Sequence, residues 1–160
     1  PLTGIFNRRY IYERLEELRA EHERTGKAFA ICILDIDHFK NINDRYGHLA
    51  GDHILKEFAR LIGGHLRPYD LLGRFGGEEF IVVLQNTDIV QATQIIERIL
   101  SAIRAQNFEY DRQLIQFTFS AGIANSGEDV AGADSVESLI GKADTRLYEA
   151  KRTGRNKVVC

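Results

Sequence analysis

The sequence predicts an α+β domain in which helices pack on an antiparallel or mixed sheet. Three observations carry this. Apolar, strand-like residues flank the pair Gly76-Gly77, the signal for a two-stranded hairpin. Residues 29–34 form a continuous apolar run, as in a central strand covered on both faces. Segments with helical apolar spacing fall before, between and after these strands, which favours helices packed on a sheet over separate layers.

In chain order, Asn7 caps a helix reaching about residue 24, with Tyr10, Ile11, Leu15 and Leu18 as its apolar stripe and Thr25-Gly26-Lys27 as its stop. The 29–34 strand runs into Asp35-Ile36-Asp37 and then a polar loop over 38–48. Asp52 is the expected cap of the next helix, whose stripe is Ile54, Leu55, Phe58, Leu61 and Ile62 and whose end is weakened by Gly63-Gly64. After the hairpin, Asp88 and Gln91 form a capping box for a helix with Ile89, Ala92, Ile95, Ile96, Ile99 and Ile103 inward. Residues 114–124 alternate, with Ile115, Phe117, Phe119 and Ala121 opposite Gln116, Thr118 and Ser120, as in a half-buried strand. A polar loop over 127–134 follows. Asp134 with Glu137 then opens a last helix carrying Leu139, Ile140, Ala143, Leu147 and Ala150, and Val158-Val159 make a short edge strand.

At 160 residues, 44% hydrophobic and 28% charged, the chain is one domain with a proper core. A net charge of -2 supplies no bulk attraction to nucleic acid polymers or anionic membranes. The longest apolar run, 28–34, is too short to span a bilayer, and no signal peptide is visible. One cysteine, Cys32, lies inside that run and the other, Cys160, ends the chain, so no structural disulfide is expected and a reducing cytoplasm is the default. Because the chain opens at Pro1 without a methionine, it reads as a fragment of a longer signalling protein.

Three constellations bear chemistry. Asp35 and Asp37 end one strand, and Glu78 and Glu79 follow the hairpin turn. If the two strands are neighbours, their carboxylates converge. That suits hard Mg²⁺, which takes oxygen ligands and shares its shell with substrate phosphates. Asp37 has a second reading as a cap of the following loop. Lys151 and Arg155 end the last helix; the helix dipole suffices to favour them there, a phosphate clamp is the functional reading, and spacing leaves both open. Arg67-Pro68-Tyr69-Asp70 reads as a turn with a weak local ion pair. The five histidines lack zinc-ligand spacing, and no phosphate-binding Gly-rich loop, serine elbow or cysteine nucleophile is present.

These pieces resemble the GGDEF family of diguanylate cyclases over nearly the whole chain. The matching residues are Pro1-Leu2-Thr3-Gly4 with Asn7-Arg8, Asp35-Ile36-Asp37-His38-Phe39-Lys40 with Asn43-Asp44 and Tyr46-Gly47-His48, and Gly51-Asp52. Arg74-Phe75-Gly76-Gly77-Glu78-Glu79-Phe80, Ser120-Ala121-Gly122, Ala143-Asp144, Tyr148, Lys151 and Gly154-Arg155-Asn156 continue the match. The resemblance implies a mostly antiparallel five-stranded sheet wrapped by helices, like nucleotidyl cyclases and polymerase palms. It implies condensation of two GTP into cyclic di-GMP and two pyrophosphates with Mg²⁺ or Mn²⁺, by a homodimer in which each domain holds one GTP.

On the same basis Asp35, Glu79 and the Ile36 carbonyl correspond to metal ligands. Glu78 corresponds to a further ligand or to the group that helps deprotonate the ribose 3′-hydroxyl. Asn43 and Asp52 correspond to the guanine-reading pair, and Phe39, Lys40, Lys151 and Arg155 to positions near the triphosphate. Arg67 and Asp70 correspond to an inhibitory product site, with Arg98 where a second product-binding arginine often stands. Glu78 occupies a position where Asp is as common, and His38 one where an aromatic is frequent. The rival reading is a catalytically idle receptor for cyclic di-GMP; a different nucleotide cyclase is a third, which Asp52 disfavours.

Overall fold

A computed structural model describes residues 5–128 and 135–160. Its centre is β1, Phe29–Ile36, in which all eight residues are buried. Partners flank it on both sides. β3 (Glu79–Gln85) pairs antiparallel on one edge and leads back to β2 (Leu71–Gly76); β6 (Phe119–Asn125) pairs antiparallel on the other and is followed outward by the short parallel strand β7 (Val158–Val159). The sheet order is therefore β2-β3-β1-β6-β7, five strands and mostly antiparallel.

Alternation along these strands feeds two cores. Ala30, Cys32, Leu34, Phe80, Val82, Phe119 and Ala121 pack under α3 (His48–His65) and α4 (Ile89–Arg104). Ile31, Ile33, Ile81 and Val83 pack under α1 (Arg8–Thr25) and α5 (Val136–Arg152). Helices on both faces leave no room for a polar side, which explains the continuous apolar runs in β1 and β3. Deep burial pushes the Cys32 thiol far up, so it is an inert core residue. No helix among the described residues is long and apolar enough to cross a membrane.

Several local expectations hold. Asn7 accepts from the Tyr10 N–H at 2.9 Å, Gly26 ends α1 at φ 74°, and both halves of the Asp88–Gln91 capping box are present. Others are corrected. Residues 38–48 are not a loop: they contain α2 (Phe39–Tyr46), whose one buried residue, Ile42, leaves no apolar stripe to read. Asp52 does not cap α3, which starts four residues earlier after Gly47 at φ 94°; Gly63-Gly64 lie within that helix, which runs to His65. Tyr10 leaves the stripe of α1 and stacks, exposed, on Phe6 at 4.3 Å. On α4, Ile89 and Ile95 are only partly buried.

Residues 114–124 are not one half-buried strand. β4 (Phe108–Tyr110) and β5 (Gln113–Ile115) form a separate hairpin through left-handed Asp111 and Arg112, and β6 is buried throughout. The reason is α5. It approaches β6 so closely that a Cβ on Gly122 would lie 2.0 Å from the Ala143 carbonyl oxygen and 2.3 Å from the Leu147 nitrogen. Ser135 caps α5 by accepting from the Ser138 N–H; Asp134, the expected cap, and Pro1-Leu2-Thr3-Gly4 lie outside the described residues.

Candidate active site

The β1–β3 register sets Asp35 directly opposite Glu79, and the backbone N–H of Ile36, last in β1, donates to the Glu78 carbonyl at 3.4 Å. The hairpin tip is thus pinned to the end of β1. Its turn is made by Gly77 and Glu78, one residue later than the Gly-Gly pair suggests. Neither Gly76 nor Gly77 has a left-handed backbone, and a Cβ on either would meet nothing within 4 Å. What the glycines provide is bare backbone at the mouth of a cleft of about 300 Å³, lined by Asp35, Phe75, Gly76, Gly77, Glu78 and Glu79.

Lys151, the penultimate residue of α5, places Nζ 3.0 Å from Asp35 Oδ2. Burial pushes the Asp35 carboxyl above its ordinary range, the Lys151 hydrogen bond and charge pull it back, and Glu78 and Asp37 push it up again. Glu79 is raised first by burial, then by Asp144 and Asp35, against Lys151 and Arg8. Two half-dehydrated carboxylates facing each other form a site where a cation is favoured. The donors are all hard oxygens, which fits Mg²⁺ or Mn²⁺. Among the described residues no three His, Cys, Asp or Glu side chains form a closed metal cage. Mg²⁺ is commonly held by one or two carboxylates, with waters and substrate phosphates completing its shell.

Next to it, α2 carries Phe39, Lys40 and Asn43 while α3 carries Asp52. Gly51 lets the two helices meet: a Cβ there would fall 1.8 Å from Asn43 Oδ1 and 3.2 Å from Phe39 Cζ. Asn43 and Asp52 are half-buried, and among the described residues neither side chain has a hydrogen-bond partner.

Asp37, two residues beyond Asp35, is buried but does not line the cleft. It accepts from the Thr118 and Ser120 hydroxyls, each at 2.6 Å, and from the Asn156 N–H at 2.9 Å. The loop it holds contains Gly154 at φ 121°, Arg155 at 62° and Asn156 at 51°. Left-handed non-glycine residues cost roughly 1–3 kcal/mol each and persist only when neighbours over-determine them. Nothing in the one-dimensional pattern links Asp37 to residues 81 to 119 positions away.

Arg67 and Asp70 lie apart, at the end of β3 opposite Glu79. Asp70 accepts from the backbone N–H groups of Arg67 (2.9 Å) and Gln85 (3.1 Å), so the turn is correct and the expected ion pair is not formed; the Arg67 guanidinium donates to the Tyr69 hydroxyl at 3.2 Å. Arg98 is exposed on α4 with no hydrogen bond or ion pair to that turn. A larger hollow of about 390 Å³ beside α2 is lined by Asp37, Arg45, Tyr46, Arg104 and Phe117 among others; of the acidic candidates only Asp37 reaches it.

An antiparallel sheet whose central strand and hairpin tip join carboxylates beside a helix-borne lysine defines the class of domain. The comparisons name it. Residues 1–157 match the family described as "Diguanylate cyclase, GGDEF domain". The diguanylate cyclase DgcP of Pseudomonas aeruginosa is 44% identical over 158 residues, 99% of this chain and 23% of that protein. The GGDEF domain of DgcB from Caulobacter crescentus, solved in complex with c-di-GMP, is 31% identical with a TM-score of 0.93, covering 99% of this chain and 90% of that one. The active GGEEF domain of a diguanylate cyclase from Vibrio cholerae is 31% identical with a TM-score of 0.89, covering 98% and 97%. The chain belongs to the GGDEF family of diguanylate cyclases. It spans 23% and 35% of the length of the first two curated relatives it matches.

Proposed function

We propose that this domain condenses two GTP into cyclic di-GMP and two pyrophosphates, as half of a homodimer in which each domain presents one GTP to the other. The observation that carries this reading is the Asp35–Glu79 pair in register beside Lys151, joined to a bare Gly-Gly backbone. Asp35, Glu79 and the Ile36 carbonyl would hold Mg²⁺ or Mn²⁺, with Glu78 as a further ligand or as acceptor of the 3′-hydroxyl proton. The metal would supply charge neutralisation at the α-phosphate and activation of the attacking oxygen.

Lys151 and Arg155 bind the triphosphate, with Phe39 and Lys40 at the start of α2 beside it. Lys151 exchanges its carboxylate partner for phosphate when substrate arrives, so the apo ion pair keeps the ammonium poised in place. Asn43 and Asp52 read guanine: an Asp52 carboxylate accepts from N1–H and the 2-amino group, which adenine cannot offer. Such a pair discriminates by up to roughly 10⁴-fold. The presence of an active GGEEF domain among the similar structures supports Glu at position 78.

Arg67 and Asp70, with Arg98, form a product site that inhibits the enzyme. Asp70 rigidifies the turn through two backbone bonds and leaves the Arg67 guanidinium outward, on the exposed Tyr69 ring, for an anionic phosphate. That a similar domain, that of DgcB, was solved in complex with c-di-GMP supports product binding by this fold. The decisive experiment is product analysis after incubating nucleotide-stripped protein with GTP and Mg²⁺ beside Glu79→Gln. Cyclic di-GMP from the native protein alone is expected. No product, even after fusion to a dimerising coiled coil, would favour the receptor reading.

A further inference from the structure

We propose that Asp37 is a positioning residue: its carboxylate latches the strained loop after α5 onto the acidic end of β1 and so holds Arg155 where it meets the substrate phosphates. The inference rests on the reading above for what Arg155 binds.

The loop has a backbone that two of its three residues disfavour. Gly154 tolerates its φ of 121°, but Arg155 and Asn156 stand consecutively in the left-handed region. Such a pair relaxes unless bonds from outside the loop oppose it. They come from four directions: Arg155 itself donates its N–H to the Ala150 carbonyl of α5 at 2.9 Å; Arg104 at the end of α4 donates from Nε to Asn156 Oδ1 and from Nη2 to its carbonyl, both at 2.7 Å; Ala121 on β6 donates its N–H to the Lys157 carbonyl at 3.0 Å; and Asn156 donates its N–H to Asp37 Oδ2. Only the last reaches the strand segment that carries Asp35.

The latch is itself tightly set. Asp37 is 6% exposed, and both carboxylate oxygens are engaged: Oδ1 by Ser120, Oδ2 by Thr118 and the Asn156 N–H. Charge-assisted bonds to an ionised carboxylate in a buried setting are the strong kind. Asp35 and Asp37 thus divide the work of one strand end. The first faces the cleft; the second turns to the β6 side and fixes how far the loop stands from the first. Asp37 does not line the cleft; apart from the charge it adds beside Asp35, which Asp37→Asn removes while keeping the hydrogen bonds, its influence on substrate passes through Arg155.

The test is a double-substitution cycle on affinity for α,β-methylene-GTP with Mg²⁺, which needs no turnover. Asp37→Ala is expected to weaken binding at least about tenfold, the equivalent of one charge-assisted hydrogen bond. In an Arg155→Ala background it is expected to add nothing, because the two act in series. Asp37→Asn is expected to restore most of the affinity: its oxygen still accepts from Asn156 and Thr118, and its amide donates to the Ser120 oxygen.

Hydrogen exchange at the Asn156 amide, measured without nucleotide, is expected to be slow in the native chain and in Asp37→Asn, and fast in Asp37→Ala. If Asp37→Ala does not fold, Thr118→Val, which removes one donor to the same oxygen, runs the same cycle with a smaller effect. Multiplicative losses in the cycle, failure of Asn to rescue, or unchanged exchange at Asn156 would each overturn the proposal. A native protein that binds the analogue but makes no cyclic di-GMP would instead defeat the proposed activity and leave the latch standing.

Discussion

Replacing Gly122 by Ala tests how α5 is held against the sheet. The added Cβ would sit 2.0 Å from the Ala143 oxygen, 2.3 Å from the Leu147 nitrogen and 2.9 Å from the Arg146 carbonyl carbon, all backbone atoms. No rotamer change relieves such a contact; the helix must retreat by more than 1 Å to reach the 3.4–4 Å of ordinary packing. Overpacking a well-filled core costs typically about 1–3 kcal/mol, and a backbone neighbour puts this case at the upper end. At roughly 2–4 °C per kcal/mol for a domain of this size, the melting temperature should fall by about 6–12 °C. The same retreat carries Lys151 away from Asp35, and a misplacement of about 1 Å in a catalytic constellation costs on the order of 10²-fold in rate. Gly141→Ala, on the same helix with nothing within 4 Å of its would-be Cβ, is the control and should be neutral or stabilising by up to about 1 kcal/mol. Thermal melts of both variants, with cyclic di-GMP production, complete the assay. Gly122→Ala melting within about 2 °C of the native protein, or Gly141→Ala falling as far, would refute the reasoning.

Two further outcomes are expected. Glu79 has its carboxyl raised by burial and by Asp144 and Asp35, so its charged form is the one the fold disfavours; stability is lost as pH rises through that raised value, and Glu79→Gln should melt higher than the native chain in metal-free buffer at pH 7. Adding Mg²⁺ with GTP should stabilise the native chain and not the variant, measured by the same melts. Gly51→Ala drives a methyl into Asn43 Oδ1, and the flexible carboxamide gives way sooner than the helices; KM for GTP should rise and the preference for GTP over ATP should shrink, with little change in melting temperature. An unchanged preference would show that Asn43 keeps its place or does not read the base.

Much of the site was legible because its chemistry is local. Asp35-Ile36-Asp37 at the end of an apolar run and Glu78-Glu79 after a turn need only one assumption, that the two strands are neighbours, and β1 and β3 are. The meeting of Asn43 and Asp52 was not legible from pattern alone. Asn43 lay in what read as a loop, because α2 buries only Ile42, and Asp52 read as a cap because aspartate so often is one. The glycines misled in a consistent way. Gly76-Gly77 read as turn geometry and is open backbone; Gly51 and Gly122 carry no such local signal, yet each marks a close approach between elements.

By itself the sequence determined the elements with strong periodicity, the helix boundaries written in Asn7, Gly26 and the Asp88–Gln91 box, and the residue types of the acidic site, since all of these depend on neighbours within a few positions. The tertiary structure alone decided which carboxylate does what. Asp35 and Asp37 are chemically identical and two residues apart. One faces a cleft because Glu79 and Lys151 come to it across the sheet and from α5. The other is taken up by Thr118, Ser120 and Asn156. Those partners are set by strand register and helix packing, which bring together residues that no local spacing connects.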